Sequence, residues 1–161
     1  RGGIVKRAIA VSCATVALVI LASSLLEPKT QLVDGSDQSW RTYSPEKLSE
    51  LRAQEKAVFI NITADWCITC LANERAVLST DTVRQAMESS GIAYLKGDWT
   101  NRDRQITALL KEYGRNGIPL YIMFANDNAD RGKILPQILT TETVLQAINE
   151  ATASKAGLTL R

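Results

Sequence analysis

The chain has 161 residues, of which 45% are hydrophobic and 22% charged, and it contains three cysteines and no histidine. This length suffices for one domain with a buried core and some additional sequence. The absence of histidine excludes Ser-His and Cys-His nucleophilic catalysis within the chain. The net charge of +2 becomes −1 without the three basic residues at positions 1, 6 and 7, so no nucleic-acid partner is predicted. Because the sequence starts at Arg1 without an initiator Met, we expect a piece of a longer polypeptide.

Residues 8–26 form an apolar segment without a charged side chain. As a helix this segment would span about 28 Å, close to the thickness of a bilayer core, so a transmembrane helix is predicted. A signal peptide is the competing interpretation, although its apolar region usually has only about 7 to 15 residues. A buried helix of a soluble protein would normally keep a polar stripe, which this segment lacks.

The charges on either side of this segment predict its orientation. Basic residues precede it and acidic residues follow it, which makes residues 1–7 a cytoplasmic flank and places the rest of the chain outside. Cys13 lies within the segment and is interpreted as a small packing residue. Residues 27–43 are polar and are predicted to be a linker, followed by a folded domain over residues 44–161.

Within this domain, hydrophobic periodicity and capping residues predict alternating helices and strands. Ser44 and Pro45 are typical of a helix start, and Gly91 and Gly114 of helix ends. The predicted elements are a helix from 45 to about 54, a strand at 57–63, a helix at 67–78 with a second segment to 87, a strand at 92–99, a helix capped by Asn101 or Asp103, strands at 120–124 and 133–139, and a final helix from 141.

Cys67 and Cys70 are separated by two residues and stand where the apolar strand gives way to a helical pattern. This arrangement is typical of a thiol-disulfide exchange site. At the start of a helix, unpaired backbone N–H groups and the helix dipole would stabilise the thiolate of Cys67, and Cys70, one turn later, could close a disulfide with it. We therefore predict that Cys67 attacks and that Cys70 resolves.

Three features together resemble the thioredoxin fold, a mixed β-sheet flanked by helices: Trp66 before the cysteine pair, the strand preceding it, and Ile118-Pro119 before a later strand. With Glu74 one turn further on and an apolar segment upstream, the chain resembles the C-terminal domain of DsbD-like transmembrane reductases, including their copper-sensitivity-suppressor branch. The resemblance implies a bacterial inner-membrane protein whose thioredoxin-like domain faces the periplasm. Its electron donor would be a membrane-embedded cysteine pair of the same or a companion protein. Its acceptors would be periplasmic thioredoxin-like or other disulfide-bearing proteins.

The resemblance also implies roles for individual residues. Cys67 would be the exposed nucleophile, Cys70 the resolving cysteine and Trp66 a shield on one side of the site. Pro119 would be a cis-proline facing the disulfide, and the backbone of Ile118 would pair with an incoming partner strand. A simple proline at a strand edge is the alternative for Pro119.

Asn61, six residues before Cys67, departs from the family pattern, in which a buried Asp helps to move the proton of the resolving thiol. An amide cannot accept that proton and adds no negative charge opposing a thiolate, so the cysteine pKa values should differ from the family pattern. The resemblance assigns Glu74 to tuning the thiol pKa, and proton transfer would fall to Glu74, to Asp65 or to water. The alternative interpretations are a solvated helix residue for Glu74 and a loop or cap residue for Asp65.

Other interpretations of the cysteine pair are a structural disulfide, a zinc site and a Cu(I)-binding module. Zinc needs four ligands, and the exported part has no third Cys and no His. Leu71 stands where the haem-attachment motif requires His. No metal and no cofactor besides the disulfide is predicted. The enzymatic alternative is a membrane-tethered reductase for cytochrome c maturation. Trp40 and Trp99 are interpreted as packing residues rather than residues of the site.

Overall fold

The structure is a computed structural model and describes residues 39–127 and 131–153. The predicted cytoplasmic flank, the apolar segment 8–26 with Cys13, and most of the predicted linker lie outside these residues. Within the described ranges no helix is both long and apolar enough to cross a bilayer.

The described residues form a mixed sheet of five strands flanked by helices, as predicted. The strand order is β1-β3-β2-β4-β5, in which β1 and β2 run parallel to β3 whereas β4 runs antiparallel to both β2 and β5. The elements are β1 (Arg41–Thr42), α1 (Pro45–Ala53), β2 (Val58–Thr63), α2 (Ile68–Asn73), which continues as a π-helical segment (Glu74–Leu78), α3 (Asp81–Ser89), β3 (Ala93–Asp98), α4 (Arg104–Glu112), β4 (Leu120–Phe124), β5 (Lys133–Ile134) and α5 (Thr141–Ala153).

Strand β2 is central in the sheet, and all six of its residues are buried. Because side chains alternate along a strand, Val58, Ile60 and Ile62 face one side and pack with α1 and α4. Phe59 faces the other side and packs with the apolar residues of α3 and α5. The carboxyl end of β2 therefore projects from a core that is packed on both faces, and it leads directly to the cysteine pair.

Local signals predicted several element ends correctly. Ser44 caps α1 by accepting the Lys47 N–H at 3.1 Å, and Asp103 rather than Asn101 caps α4. Gly91 and Gly114 each have a φ of +65°, which is the left-handed conformation that favours glycine after a helix.

Three features differ from the expectations. Residues 41–42, inside the range predicted as linker, form the edge strand β1, and Tyr43 beside them is buried. The predicted strand 133–139 pairs only at 133–134, because the chain leaves β4 after Leu135 donates its N–H to Tyr121 O at 3.0 Å. The helix after the cysteines changes from α to π at Glu74, where Ser79 N–H bonds to Glu74 O at 2.8 Å.

Candidate active site

Cys67 and Cys70 form a disulfide at the start of α2, with their Cα atoms 5.2 Å apart. Cys67 is the N-cap residue of this helix, and the Cys70 N–H donates to Cys67 Sγ at 3.2 Å. Cys67 is 7% exposed and Cys70 is completely buried. Of the two cysteines, only Cys67 keeps any exposed surface.

Thr100 holds the turn that carries Asp65 and Trp66. Its hydroxyl accepts the Asp65 N–H at 3.0 Å, and its carbonyl accepts the Trp66 indole N–H at 3.2 Å. Trp66 remains 54% exposed, and the centroid of its ring lies 6.1 Å from that of Trp99. The backbone of Asp65 thus anchors the turn.

The Ile118–Pro119 peptide bond is cis, as predicted. It directly precedes β4, and the Ile118 side chain packs against the cluster that Ala64, Cys67 and Cys70 form. The two segments singled out in the sequence, 64–70 and 118–119, therefore meet in the folded chain.

Asn61 is fully buried in β2, beneath the cysteine helix, and joins a polar network. Its Nδ2 donates to Glu74 Oε1 at 3.0 Å and to the Tyr94 hydroxyl at 2.9 Å. Because a carboxylate only accepts hydrogen bonds, the amide nitrogen must face Glu74. The Asn61 Oδ1 is buried and has no hydrogen-bond partner among the described residues.

Lys96 completes this network and was not predicted. Its Nζ donates to Glu74 Oε2 at 2.9 Å, in an ion pair whose side chains are only 23% and 18% exposed. Lys96 pairs with Asn61 in the register of β3 and β2, whereas Glu74 comes from the helix. Burial raises the pKa of Tyr94, whose hydroxyl also lies beside Asn61. The network therefore contains one anion and one cation close to neutral hydrogen-bonding groups.

A cavity of about 250 Å³ gives access to the Glu74–Lys96 pair. Ala64 and Leu71, which flank the cysteine pair in sequence, also line this cavity. Trp40 closes another part of it and lies 5.2 Å from Lys96 Nζ in a cation–π contact. Water in this cavity would reach the ion pair one helical turn from Cys70.

Within residues 39–127 and 131–153, no group of three or more His, Cys, Asp and Glu side chains is placed to hold a metal ion.

A family model described as thioredoxin-like matches residues 39–126. Among characterised proteins, the thiol:disulfide interchange protein DsbD of Klebsiella pneumoniae is 30% identical over 95 residues, which are 58% of this chain and 16% of that protein. DsbD of Haemophilus ducreyi is 27% identical over 97 residues, 60% of this chain and 17% of that protein. The matched region thus spans about a sixth of the length of these relatives.

Solved structures agree with this fold. The oxidised C-terminal domain of Neisseria meningitidis DsbD superposes with a TM-score of 0.55 and 23% identity, covering 69% of this chain and 99% of that domain. A thioredoxin from Thermus thermophilus superposes with a TM-score of 0.55 and 19% identity, covering 77% and 95%. The predicted resemblance to the C-terminal domain of DsbD-like proteins is confirmed by these matches, whereas the copper-sensitivity-suppressor branch stays a prediction.

Proposed function

Because the chain belongs to the thioredoxin-like family, and carries a disulfide between two closely spaced cysteines, we propose that this thiol-disulfide oxidoreductase reduces disulfides in partner proteins. The observation that carries the proposal is the unequal exposure of the two cysteines. Cys67, at the start of a helix, keeps 7% of its surface exposed, whereas Cys70 is completely buried. This arrangement suits a nucleophile and a resolving thiol.

The reaction begins with both cysteines reduced. The Cys67 thiolate attacks one sulfur of the partner's disulfide, forming a mixed disulfide and releasing the other partner sulfur as a thiolate that takes up a proton. Cys70 then loses its proton and attacks Cys67 Sγ, which re-forms the Cys67–Cys70 disulfide and releases the second partner thiolate. Two electrons pass from the cysteine pair to the partner.

The neighbours of the pair support these steps. The N–H of Cys70 already points at Cys67 Sγ, and the same donor stabilises negative charge on that sulfur after reduction. Ile118 packs against the pair, where its backbone would bond to the partner's strand. Trp66 would shield the mixed disulfide on one side. Glu74 and cavity water would pass the proton of Cys70.

The electrons need a source, and the likeness to DsbD supports a relay across a membrane. A dithiol in a membrane-embedded domain, of the same polypeptide or of a companion, would reduce the Cys67–Cys70 disulfide after each turnover. The apolar segment 8–26 would anchor the chain in the bacterial inner membrane, with the described domain in the periplasm. Other thioredoxin-like proteins of that compartment would accept the electrons.

A trapping experiment tests the exchange chemistry. Cys70→Ser leaves the nucleophile without its resolving thiol, so it should accumulate mixed disulfides with partners, visible on non-reducing gels and lost on reduction. Cys67→Ser is the matched control, because the remaining thiol is buried, and it should trap little. Copper tolerance that depends on both cysteines, without any trapped protein, would instead support the Cu(I)-binding alternative.

The reduction potential of the pair tests the direction of electron flow. Equilibration against dithiothreitol or glutathione buffers should give a value of about −200 mV or lower, because no imidazolium lies between the cysteines to favour the thiolate. A value near that of the oxidant DsbA, about −120 mV, would contradict the proposal.

A further inference from the structure

Trp40, which directly precedes β1, contacts the ammonium group of Lys96. The Lys96 Nζ lies 5.2 Å from the centroid of the Trp40 ring, and it donates to Glu74 Oε2 at 2.9 Å. The side chains of this ion pair are only 23% and 18% exposed. The ammonium group is therefore held between a carboxylate and an aromatic ring at a poorly solvated site, where a cation–π contact is strongest.

The pairing of β1 with β3 brings Trp40 to Lys96. Thr42 pairs with Lys96 in the parallel register, and Trp40, two residues earlier, lies on the same face because side chains alternate along an extended chain. All three residues line the cavity of about 250 Å³ beside the cysteine helix. Arg41 pairs instead with Leu95, which is buried on the other face of the sheet.

The other ionisable groups around this ion pair are acids and neutral phenols. Asp65 and Asp98 line the same cavity. The carboxylate of the pair also acts on Tyr94 of β3 and Tyr121 of β4, and burial raises the pKa of both phenols above the range in which thiols titrate. Lys96 is thus the only cation among the described residues that line this cavity.

The ion pair lies one helical turn from the cysteines. The Glu74 N–H donates to Cys70 O, and side chains four positions apart on a helix are neighbours. A carboxylate close to a thiol disfavours the thiolate, and a cation beside that carboxylate offsets the effect. The position of the Lys96 ammonium group therefore contributes to the charge balance at the reduced cysteines.

We propose that Trp40 is a positioning residue for disulfide exchange, whose ring holds the Lys96 ammonium group against Glu74 and thereby favours the thiolate of Cys67. The inference rests on the proposed function, in which this thiolate attacks the partner. Trp40 also packs against the hydrophobic cluster that contains Phe59, so a purely structural role is the alternative. A structural role would change the stability of the chain but not the titration of Cys67.

The test measures the rate at which iodoacetamide alkylates reduced Cys67 as a function of pH. It uses the full chain in mild detergent with Cys13→Ser, so that only the cysteine pair can react. Trp40→Leu removes the ring but keeps an apolar side chain, and we expect the midpoint of the profile to rise by about 0.5 pH. Trp40→Phe keeps an aromatic face and should return the midpoint toward the wild-type value. If Trp40→Leu does not fold, Trp40→Met tests the same loss of the ring.

A second substitution tests whether Trp40 acts through Lys96. Lys96→Met should raise the midpoint further than Trp40→Leu, because it removes the cation altogether. Adding Trp40→Leu to Lys96→Met should leave the midpoint unchanged, since the ring then has no ammonium group to hold. Phe124→Leu is the matched control. Its ring lies 4.9 Å from the guanidinium of Arg52, at the end of β4 remote from Pro119, so its loss should lower stability without moving the midpoint.

An unchanged midpoint in Trp40→Leu would overturn the inference, and so would an equal rise in Phe124→Leu. Additive rises from Trp40→Leu and Lys96→Met would also overturn it, because Trp40 would then act through another group. None of these results contradicts the proposed function, which predicts that the wild-type chain reduces insulin with dithiothreitol as reductant. A wild-type chain that does not reduce insulin would refute the proposed function, and this inference with it.

Discussion

At the scale of single residues, Asn61 alters the electrostatics beneath the cysteine helix. Thioredoxins place a buried carboxyl group here, and this chain places a neutral amide that donates to Glu74 and Tyr94. The negative charge comes instead from Glu74, and Lys96 compensates it at 2.9 Å. At this site a compensated ion pair therefore takes the place of a lone carboxylate.

Asn61→Asp should destabilise the chain at neutral pH, because two carboxylates would lie at hydrogen-bond distance in a buried site. The pKa of the new carboxyl group would be higher in the folded state than its unfolded value of about 3.9. The penalty, on the order of 3 kcal/mol at pH 7, should therefore disappear below about pH 4 and grow as the pH rises. Urea unfolding across this range measures it.

Asn61→Leu is the matched control, since it also removes the hydrogen bond to Glu74 but adds no charge, and its loss of stability should change less with pH than that of Asn61→Asp. The added charge in Asn61→Asp should also raise the thiol pKa values of the reduced pair. Unchanged thiol pKa values would show that position 61 has no part in the proton pathway.

Lys96→Met should raise the pKa of the Cys67 thiol, because it leaves the nearby Glu74 carboxylate without its cation. The rate of alkylation by iodoacetamide as a function of pH measures this value. Lys47→Met is the control, as Lys47 forms an exposed ion pair with Glu50 within α1. The same alkylation profile in both variants and the wild type would contradict the prediction.

At the scale of elements, two consecutive residues of the helix after β2 form hydrogen bonds with different parts of the sheet and its loops. Successive residues of a helix point about 100° apart, so Asn73 reaches β4 and the loop at 137–139 while Glu74 reaches β2 and β3. The helix changes from α to π at this point, and π-helical turns, although rare, often occur at functional sites. The cysteine pair is thereby fixed to two parts of the sheet.

Gly97 shows how closely α4 packs on the sheet. A Cβ atom at this position would lie 2.6 Å from Ile62 Cδ1 and 3.1 Å from Ile106 Cδ1, and both isoleucines are buried. Gly97→Ala should therefore lower the free energy of unfolding by about 1 to 3 kcal/mol, measured by urea unfolding. At Gly117 a Cβ atom would meet nothing within 4 Å, so an equal loss in Gly117→Ala would contradict this explanation.

At the scale of the whole molecule, the two faces of the sheet bury tyrosines that resist ionisation. Burial raises the pKa of Tyr43 to about 12 and that of Tyr121 to about 12, and it also raises the pKa of Tyr94. In the unfolded chain these phenols ionise near pH 10. The contribution of these buried phenols to the free energy of unfolding is therefore complete below pH 10 and is lost as the pH rises above it.

The oxidised chain should lose stability as the pH rises from 10 to 12, by about 1.4 kcal/mol per pH unit for each tyrosine that stays protonated when folded. The disulfide form is used because its cysteines do not titrate. Thermal unfolding at several pH values measures the slope. Tyr43→Phe should make the slope shallower, and an unchanged slope would exclude a contribution from Tyr43.

The sequence by itself determined the features that depend on near neighbours in the chain. Three local features identify the fold and the redox pair, namely the spacing of Cys67 and Cys70, the Ser44 cap and Ile118-Pro119. Each of them involves only residues close together in the chain, so it can be recognised without knowledge of the tertiary structure. The tertiary structure decided which residues distant in sequence contact the predicted site residues. Lys96 reaches Glu74 through the pairing of β3 with β2, and Asn73 reaches Gln137 across 64 positions. Such contacts depend on strand register and tertiary packing, which no local pattern specifies.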